Sequence, residues 1–281
     1  MGLPFLKWAG GKRWLTDSDR LPLPTSYNRY IEPFLGGGAV FFHLKPAVAI
    51  LSDINAELIE LYRVMRDKPT QLFAVLECHQ AAHCKEHYYA VRESKPVGRL
   101  DRAARTLYLN RTCWNGLYRV NLRGDFNVPI GTKDTVLFGD EDFRAFSEAL
   151  RSAEIVATDF EATIDSAGDG DFLFVDPPYT VKHNFNGFLK YNEQIFSWAD
   201  QVRLRNSLDR AILRGAAVVV TNADHTSVRE LYDGLCEYQQ LDRFSVLSGK
   251  ALNRGKTTEA LFSANLRKGL VREISDGGMT R

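Results

Sequence analysis

The apolar run Phe172-Leu173-Phe174-Val175 ends abruptly in Asp176-Pro177-Pro178-Tyr179. A short unbroken apolar run marks a buried strand, and two prolines cannot extend a strand's hydrogen-bond ladder, so the strand must stop at Val175. A carboxylate, two rigid prolines and an aromatic ring therefore sit at its end. Asp176 can accept a hydrogen bond from an exocyclic amine, the fixed φ of the prolines aims the Pro177 carbonyl at the same amine, and Tyr179 offers a face for stacking. The group suits holding a flat, amine-bearing base; the competing reading is a strand-end turn capped by its Asp.

The remaining pattern surrounds that strand with others. Tyr30 to Phe34 and Val48 to Asp53 read as short buried strands, joined by a Gly-rich turn and a helix over Ala39 to Leu44. Asn55 is placed to cap a helix running to about Arg66, with Leu58, Leu61, Tyr62 and Met65 on one stripe and Pro69 beyond its end. Strand signals return at Glu154 to Thr158, Ala216 to Thr221, Phe244 to Leu247 and Glu259 to Ala264, and a helix over Ser197 to Arg214 is stopped by Gly215. Strands alternating with helices predict an α/β fold with a largely parallel, doubly wound sheet, whose ligands bind at the carboxyl ends of the strands. The expected division is a discontinuous core, residues 1–55 plus 154–265, with an inserted helical lobe over 56–153 and a mobile tail over 266–281.

With 281 residues the chain can bury a large core, and no apolar stretch approaches the ~18 residues of a membrane span. The start, Met1 to Gly11, has no basic, long-apolar leader, and the four cysteines form no C-x-x-C pair, so a cytoplasmic protein with free thiols is expected. Net charge is only +1, yet Arg99, Arg102, Arg105, Arg111, Arg119, Arg123 and Lys133 crowd one segment against Asp101 and Asp125. Such a stripe can face phosphate, or can be a solvated helix face. Cys78, His79, His83, Cys84 and His87 also lie close together, but adjacent Cys-His pairs point to different faces, and no metal is expected.

Phe34-Leu35-Gly36-Gly37-Gly38 falls at the first strand-to-helix turn, and Asp53 ends the second strand. Glycines let a backbone approach a ligand closely, and an acid at the next strand end can take both hydroxyls of a ribose. The dinucleotide fingerprint is absent, because Phe41 stands where its third Gly would be, and so is a Walker motif. NAD and ATP are thus disfavoured; the competing readings are a tight packing turn for the glycines and a plain helix cap for Asp53.

Five blocks, in order, resemble the Dam-type (D12 class) adenine-N6 DNA methyltransferases. They are Phe5 to Lys12, Glu32 to Gly38, Leu51 to Asn55, Leu109 to Arg111 with Trp114 to Gly131, and Asp176 to Tyr179. The resemblance implies a Rossmann-like, seven-stranded methyltransferase sheet with an inserted helical target-recognition lobe. It implies S-adenosylmethionine held by Trp8, Lys12, Gly36, Gly38, Asp53 and Asp159, with Asp53 on the ribose and Asp159 near the adenine ring. Catalysis falls to Asp176, Pro177 and Tyr179. Double-stranded DNA is the implied partner, contacted by Lys7, Trp114, Asn115, Leu117, Arg119 and Pro129. Arg119 is the main base reader, since a guanidinium can bond guanine O6 and N7 together, and Trp114 holds a position that wedges into the base stack. Thr132 and Lys133 replace an Arg and a Tyr of some relatives, which puts a phosphate clamp there in doubt. The expectation is therefore a site-specific adenine-N6 DNA methyltransferase, monomeric, with GATC as a target and functional pairing with a restriction nuclease as a further expectation. Rival readings are a cytosine-N4 enzyme, disfavoured because those carry Ser in place of Asp176, an RNA adenine methyltransferase, and a DNA-binding regulator without turnover.

Overall fold

The structure, a computed structural model, describes residues 4–18, 20–116, 118–121, 125–139, 141–182, 196–244 and 256–266. Its strands are β1 (Tyr30–Glu32), β2 (Ala49–Asp53), β3 (Ala153–Ala157), β4 (Phe172–Val175), β5 (Ala217–Ala223), β6 (Glu237–Phe244) and β7 (Lys256–Ala264). They form one seven-stranded sheet in the order β3-β2-β1-β4-β5-β7-β6. β1 to β5 pair in parallel, and β7 inserts antiparallel between β5 and β6. The strand order reverses beside β1, between β1 and β4, and ligands of such sheets bind at that switch point.

The unbroken apolar run of β4 has a structural explanation. Phe172 and Phe174 point to one face and join a core with Leu51, Leu58, Leu61, Tyr62 and Leu107. Leu173 and Val175 point to the other and join Ile31, Val218, Val220, Leu204 and Leu208. Both faces of the strand are covered, so neither set of alternating positions can be polar.

The helices are α1 (Arg13–Thr16), α2 (Ala39–Leu44), α3 (Ala56–Asp67), α4 (Pro69–Ala82), α5 (Lys85–Glu93), α6 (Arg99–Thr112), α7 (Phe143–Leu150), α8 (Phe160–Asp165), α9 (Trp198–Leu213) and α10 (Thr226–Tyr232). Asn55 caps α3 by accepting from the Leu58 amide at 3.0 Å, and the expected stripe Leu58, Leu61, Tyr62 and Met65 is fully buried. Pro69, expected beyond that helix, also opens α4, where its missing N–H costs nothing. Ser197 and Asp200 close a capping box at the start of α9. Helices α3 to α7 pack as a group between β2 and β3 in sequence, and they share one apolar core with the sheet face above them.

Two expectations need correction. The last strand but one is Glu237–Phe244, earlier than the run Phe244 to Leu247; residues 245–247 lie outside the described residues, as does the tail from 267. Glu237–Phe244 carries little apolar signal because it is an edge strand, with Leu241 buried and Tyr238 half exposed. The basic stripe is also partly paired within the protein. Arg102 is bound bidentately by Glu60, Arg105 donates to the carbonyls of Val91 and Arg92, and Arg111 is buried. Among the described residues, Arg111 is thus withdrawn from the stripe, whereas Arg99 keeps a side chain 60% exposed and Lys133 is exposed.

Candidate active site

The carboxyl ends of β1, β2, β3 and β4 gather the sequence-predicted residues at one edge of the sheet. After β1 the chain turns through Gly36 and Gly38, whose φ angles of +46° and +63° lie in the left-handed region that side chains disfavour. Both sites are also crowded: a Cβ on Gly36 would lie 2.8 Å from Trp8 Cδ1, and one on Gly38 would lie 2.8 Å from the Tyr62 hydroxyl. Tyr62 donates to the Gly36 carbonyl at 3.0 Å, pinning the turn. Asp53, at the end of β2, accepts from the Gly36 amide at 3.1 Å through one oxygen and from the Asn55 amide at 2.9 Å through the other. Burial raises the Asp53 pKa, and these backbone donors oppose the rise. The carboxylate is thus oriented by the loop it faces, and Ile54 beside it is exposed.

Trp8 lies against Gly36 and Gly37 and stacks on Tyr118, ring centroids 5.2 Å apart and planes 20° from parallel. Asp159 follows β3, caps α8 through the Glu161 amide, and is gripped by both guanidinium nitrogens of Arg203 at 2.8 and 2.9 Å.

At the end of β4, Asp176 Oδ1 meets two donors among the described residues: Lys12 Nζ at 2.8 Å and the Thr221 hydroxyl at 2.7 Å. Its side chain is 18% exposed, against 3% for Lys12. Burial raises the Asp176 pKa above the ordinary carboxylate range; Lys12 and Thr221 oppose that rise, and Glu259 adds to it. Tyr179 donates to Glu259 Oε2 at 2.7 Å, and its own pKa stands well above normal through burial and the neighbouring carboxylates. The Lys12 ammonium also donates to the Gly10 carbonyl at 2.7 Å, lies 3.7 Å from Glu259, and sits 4.9 Å from the centre of the Tyr179 ring. Lys12, expected at the donor, is thus directed to the Asp176–Tyr179 motif. Sequence reasoning missed Thr221, Glu259 and the buried Glu32, whose pKa burial raises far above normal. One signal existed for Glu259: it is a lone acid opening the apolar run Ala260-Leu261-Phe262.

The residues expected at DNA lie at a second locus. Trp114 is 52% exposed, so it is not a core aromatic. Its amide donates to the Pro129 carbonyl at 2.9 Å, and Asn115 takes the left-handed φ of 57°. Arg119 and Asn127 flank the antiparallel bridge between Val120 and Phe126 and join by a 3.1 Å side-chain bond. Leu117 lies outside the described residues. The Lys7 stem packs on Gly116, and burial and the neighbouring Lys133 ammonium lower the Lys7 pKa, so two cations meet there. Asn110 grips the Lys7 backbone from both sides, accepting at 3.0 Å and donating at 2.7 Å. Arg111 donates to the Phe5 and Val136 carbonyls and to Glu141. The pair Asn110-Arg111 thereby ties the N-terminal segment to α6. The histidines bond one another and a tyrosine: His79 meets His87 at 3.0 Å, and His83 meets Tyr108 at 2.8 Å. Among the described residues no three His, Cys, Asp or Glu side chains converge as a metal site.

Comparison with known proteins bears on the same residues. The profile of the D12 class N6 adenine-specific DNA methyltransferases matches residues 8–254. The chain is 40% identical over 267 residues to the Type II methyltransferase M1.LlaDCHI of Lactococcus lactis subsp. cremoris, covering 92% of this chain and 94% of that one. It is 35% identical over 268 residues to the DNA adenine methylase of Serratia marcescens, covering 92% and 96%. It is 34% identical over 254 residues to the Type II methyltransferase M.MjaIII of Methanocaldococcus jannaschii, covering 82% and 88%. With the strand-end carboxylates, the glycine turn and the Asp-Pro-Pro-Tyr edge all on one sheet, the chain belongs to the D12 class of N6 adenine-specific DNA methyltransferases.

Proposed function

We propose that the protein transfers a methyl group from S-adenosylmethionine to the N6 amine of an adenine flipped out of duplex DNA. The observation that carries this reading is the division of labour at Asp176. Lys12 and Thr221 both bond Oδ1, which leaves Oδ2, at the partly exposed end of β4, to accept a hydrogen from a substrate amine. The Pro177 carbonyl is the second acceptor. The adenine N6 lone pair is delocalised into the ring and is a weak nucleophile; accepting its two hydrogens localises that pair and aims it. This is orientational and electrostatic catalysis. A base inside a duplex cannot reach such an edge, so it must leave the stack, and Tyr179 offers the ring on which it lands.

The residues at β1 and β2 suit the donor. The glycine turn lets backbone approach closely, and the Asp53 carboxylate, oriented by the Gly36 and Asn55 amides, matches a pair of ribose hydroxyls. Trp8, Gly36 and Gly38 line this turn, and Asp159 follows β3, the strand paired with β2. When bound, the donor supplies an electrophilic methyl on a positively charged sulfur. Lys12 serves the site chiefly through Asp176, whose negative charge it holds.

Residues 56–153 act in this reading as the target-recognition lobe. Arg119 reads a guanine, Lys7 a second, with Asn115, Leu117 and Pro129 at base edges and Trp114 inserted as a wedge. The adjoining Lys7 and Lys133 ammoniums supply attraction to the backbone. GATC is the proposed target. The name Type II methyltransferase carried by two relatives supports pairing with a nuclease, and the protein is proposed to act as a monomer in the cytoplasm. The test is mass spectrometry of nucleosides from unmethylated plasmid incubated with protein and S-adenosylmethionine, with sequencing of the modified sites. N6-methyladenine confined to GATC supports the reading; another motif overturns the target, and unmodified DNA overturns the reaction.

A further inference from the structure

We infer that Glu259 is a positioning residue of the methyl-transfer site, which fixes the Tyr179 ring and the Lys12 ammonium from the antiparallel strand β7. This rests on the proposal that Tyr179 stacks the target base. Glu259 comes from outside the four motif-bearing strands. β7 runs against its neighbours, so its opening residues lie at the edge where β4 and β5 finish; Glu259 pairs with Ala223, the last residue of β5. Its side chain is only 6% exposed, and a carboxylate so far from water persists only where donors hold it. Donors that face it include the Tyr179 hydroxyl at 2.7 Å and the Lys12 ammonium at 3.7 Å.

The consequence is geometric. A tyrosine ring is fixed at one end by its Cβ; a hydrogen bond at the far end restrains the swing of the ring about χ1, the in-plane preference of the phenolic O–H biases its rotation, and the Lys12 ammonium on its face limits that rotation further before a base arrives. Lys12 joins this arrangement to the amine acceptor, since the same ammonium meets Glu259, Asp176 and the face of the Tyr179 ring. One cation between two carboxylates therefore couples the stacking plane to the carboxylate that must meet N6. Such preorganisation appears in turnover rather than in donor binding, because the donor residues sit at β1 and β2.

The test compares kcat and KM for donor and DNA, and S-adenosylhomocysteine binding by calorimetry, in Glu259→Ala, Glu259→Gln, Tyr179→Phe and the double variant Glu259→Ala/Tyr179→Phe. Glu259→Ala should lower kcat roughly 10- to 100-fold while S-adenosylhomocysteine affinity changes less than about threefold. Glu259→Gln, whose amide oxygen still accepts the phenolic hydrogen, should recover most of that loss. In the Tyr179→Phe background, where the bond is already gone, Glu259→Ala should cost much less than it does alone. Unchanged kcat in Glu259→Ala, or its full cost repeated on Tyr179→Phe, overturns the inference. Should Glu259→Ala fail to bind S-adenosylhomocysteine, Tyr179→Phe decides alone: reduced kcat with intact donor binding supports the inference, and wild-type kcat overturns it. Tyr179→Ala separates the two levels. Wild-type turnover in that variant removes the stacking proposal and this inference together, whereas impaired turnover with an unaffected Glu259→Ala removes only the role of Glu259.

Discussion

Replacing Lys12 with methionine keeps the stem of the side chain and deletes its charge. In the folded protein that ammonium is 3% exposed and bonds Asp176 at 2.8 Å. Removing one member of a buried ion pair costs ~3–5 kcal/mol, since the survivor is left charged in a poor dielectric. Asp176 keeps the Thr221 hydroxyl and some solvent, so the low end, ~3 kcal/mol, is the appropriate figure. At ~2 °C per kcal/mol for a chain of this size, Tm should fall by about 6 °C near neutral pH. The pH dependence has a definite sign. Burial already raises Asp176 above its ordinary value of 3.8, with Lys12 the main opposing influence, so its loss raises the carboxyl further. A carboxyl whose folded pKa is raised contributes stability that is present below the unfolded value and lost as pH climbs through the folded one. The deficit of Lys12→Met should therefore be smallest at acid pH and grow as pH rises through the range in which Asp176 loses its proton, by ~1.4 kcal/mol for each unit of added shift. Scanning calorimetry of both proteins across that range measures it. A deficit that is the same at every pH would show that Lys12 does not govern the charge of Asp176, and would refute the reasoning.

Three other substitutions probe separate links. Asp176→Ala should abolish methyl transfer while leaving duplex binding intact in a mobility-shift assay; retained activity would remove Asp176 from the chemistry. Arg119→Ala should cost ~1–3 kcal/mol of discrimination at one base pair, seen as methylation of sites altered at that position, and unchanged specificity would rule out its reading role. Gly38→Ala forces a side chain into φ +63° with its Cβ 2.8 Å from the Tyr62 hydroxyl. It should destabilise by ~1–3 kcal/mol and weaken donor binding measured by calorimetry, and a wild-type Tm would mean that the turn relaxes freely.

Much of the sheet edge was legible because its determinants are local. Proline halts a strand wherever it stands, glycine permits a left-handed turn, and Asn55 caps the helix that follows it, so the positions of Gly36, Gly38, Asp53 and Asp176 along the chain already imply their places at strand ends. The edge strand Glu237–Phe244 was not legible, since one partner strand and exposed side chains over Glu237 to Gln240 leave almost no periodic signal. The charged residues were read least well. Arg111 stands in a run of basic residues yet is buried against Glu141, a partner 30 positions away. Lys12 and Glu259 acquire their meaning from partners on distant strands, and composition carries no record of such pairings.

Taken alone, the order of residues determines a parallel α/β sheet, the four strand ends that carry carboxylate or glycine, and, through its motif blocks, the D12 class. Each depends on interactions within a few residues, or on patterns that survive without coordinates. Only the tertiary structure decides that Lys12 turns to Asp176, that Lys12 and Thr221 both meet its Oδ1, and that the antiparallel β7 brings Glu259 to Tyr179. A charge buried in a low dielectric is defined by what lies within a few ångströms, and for these groups that surrounding is assembled across the fold.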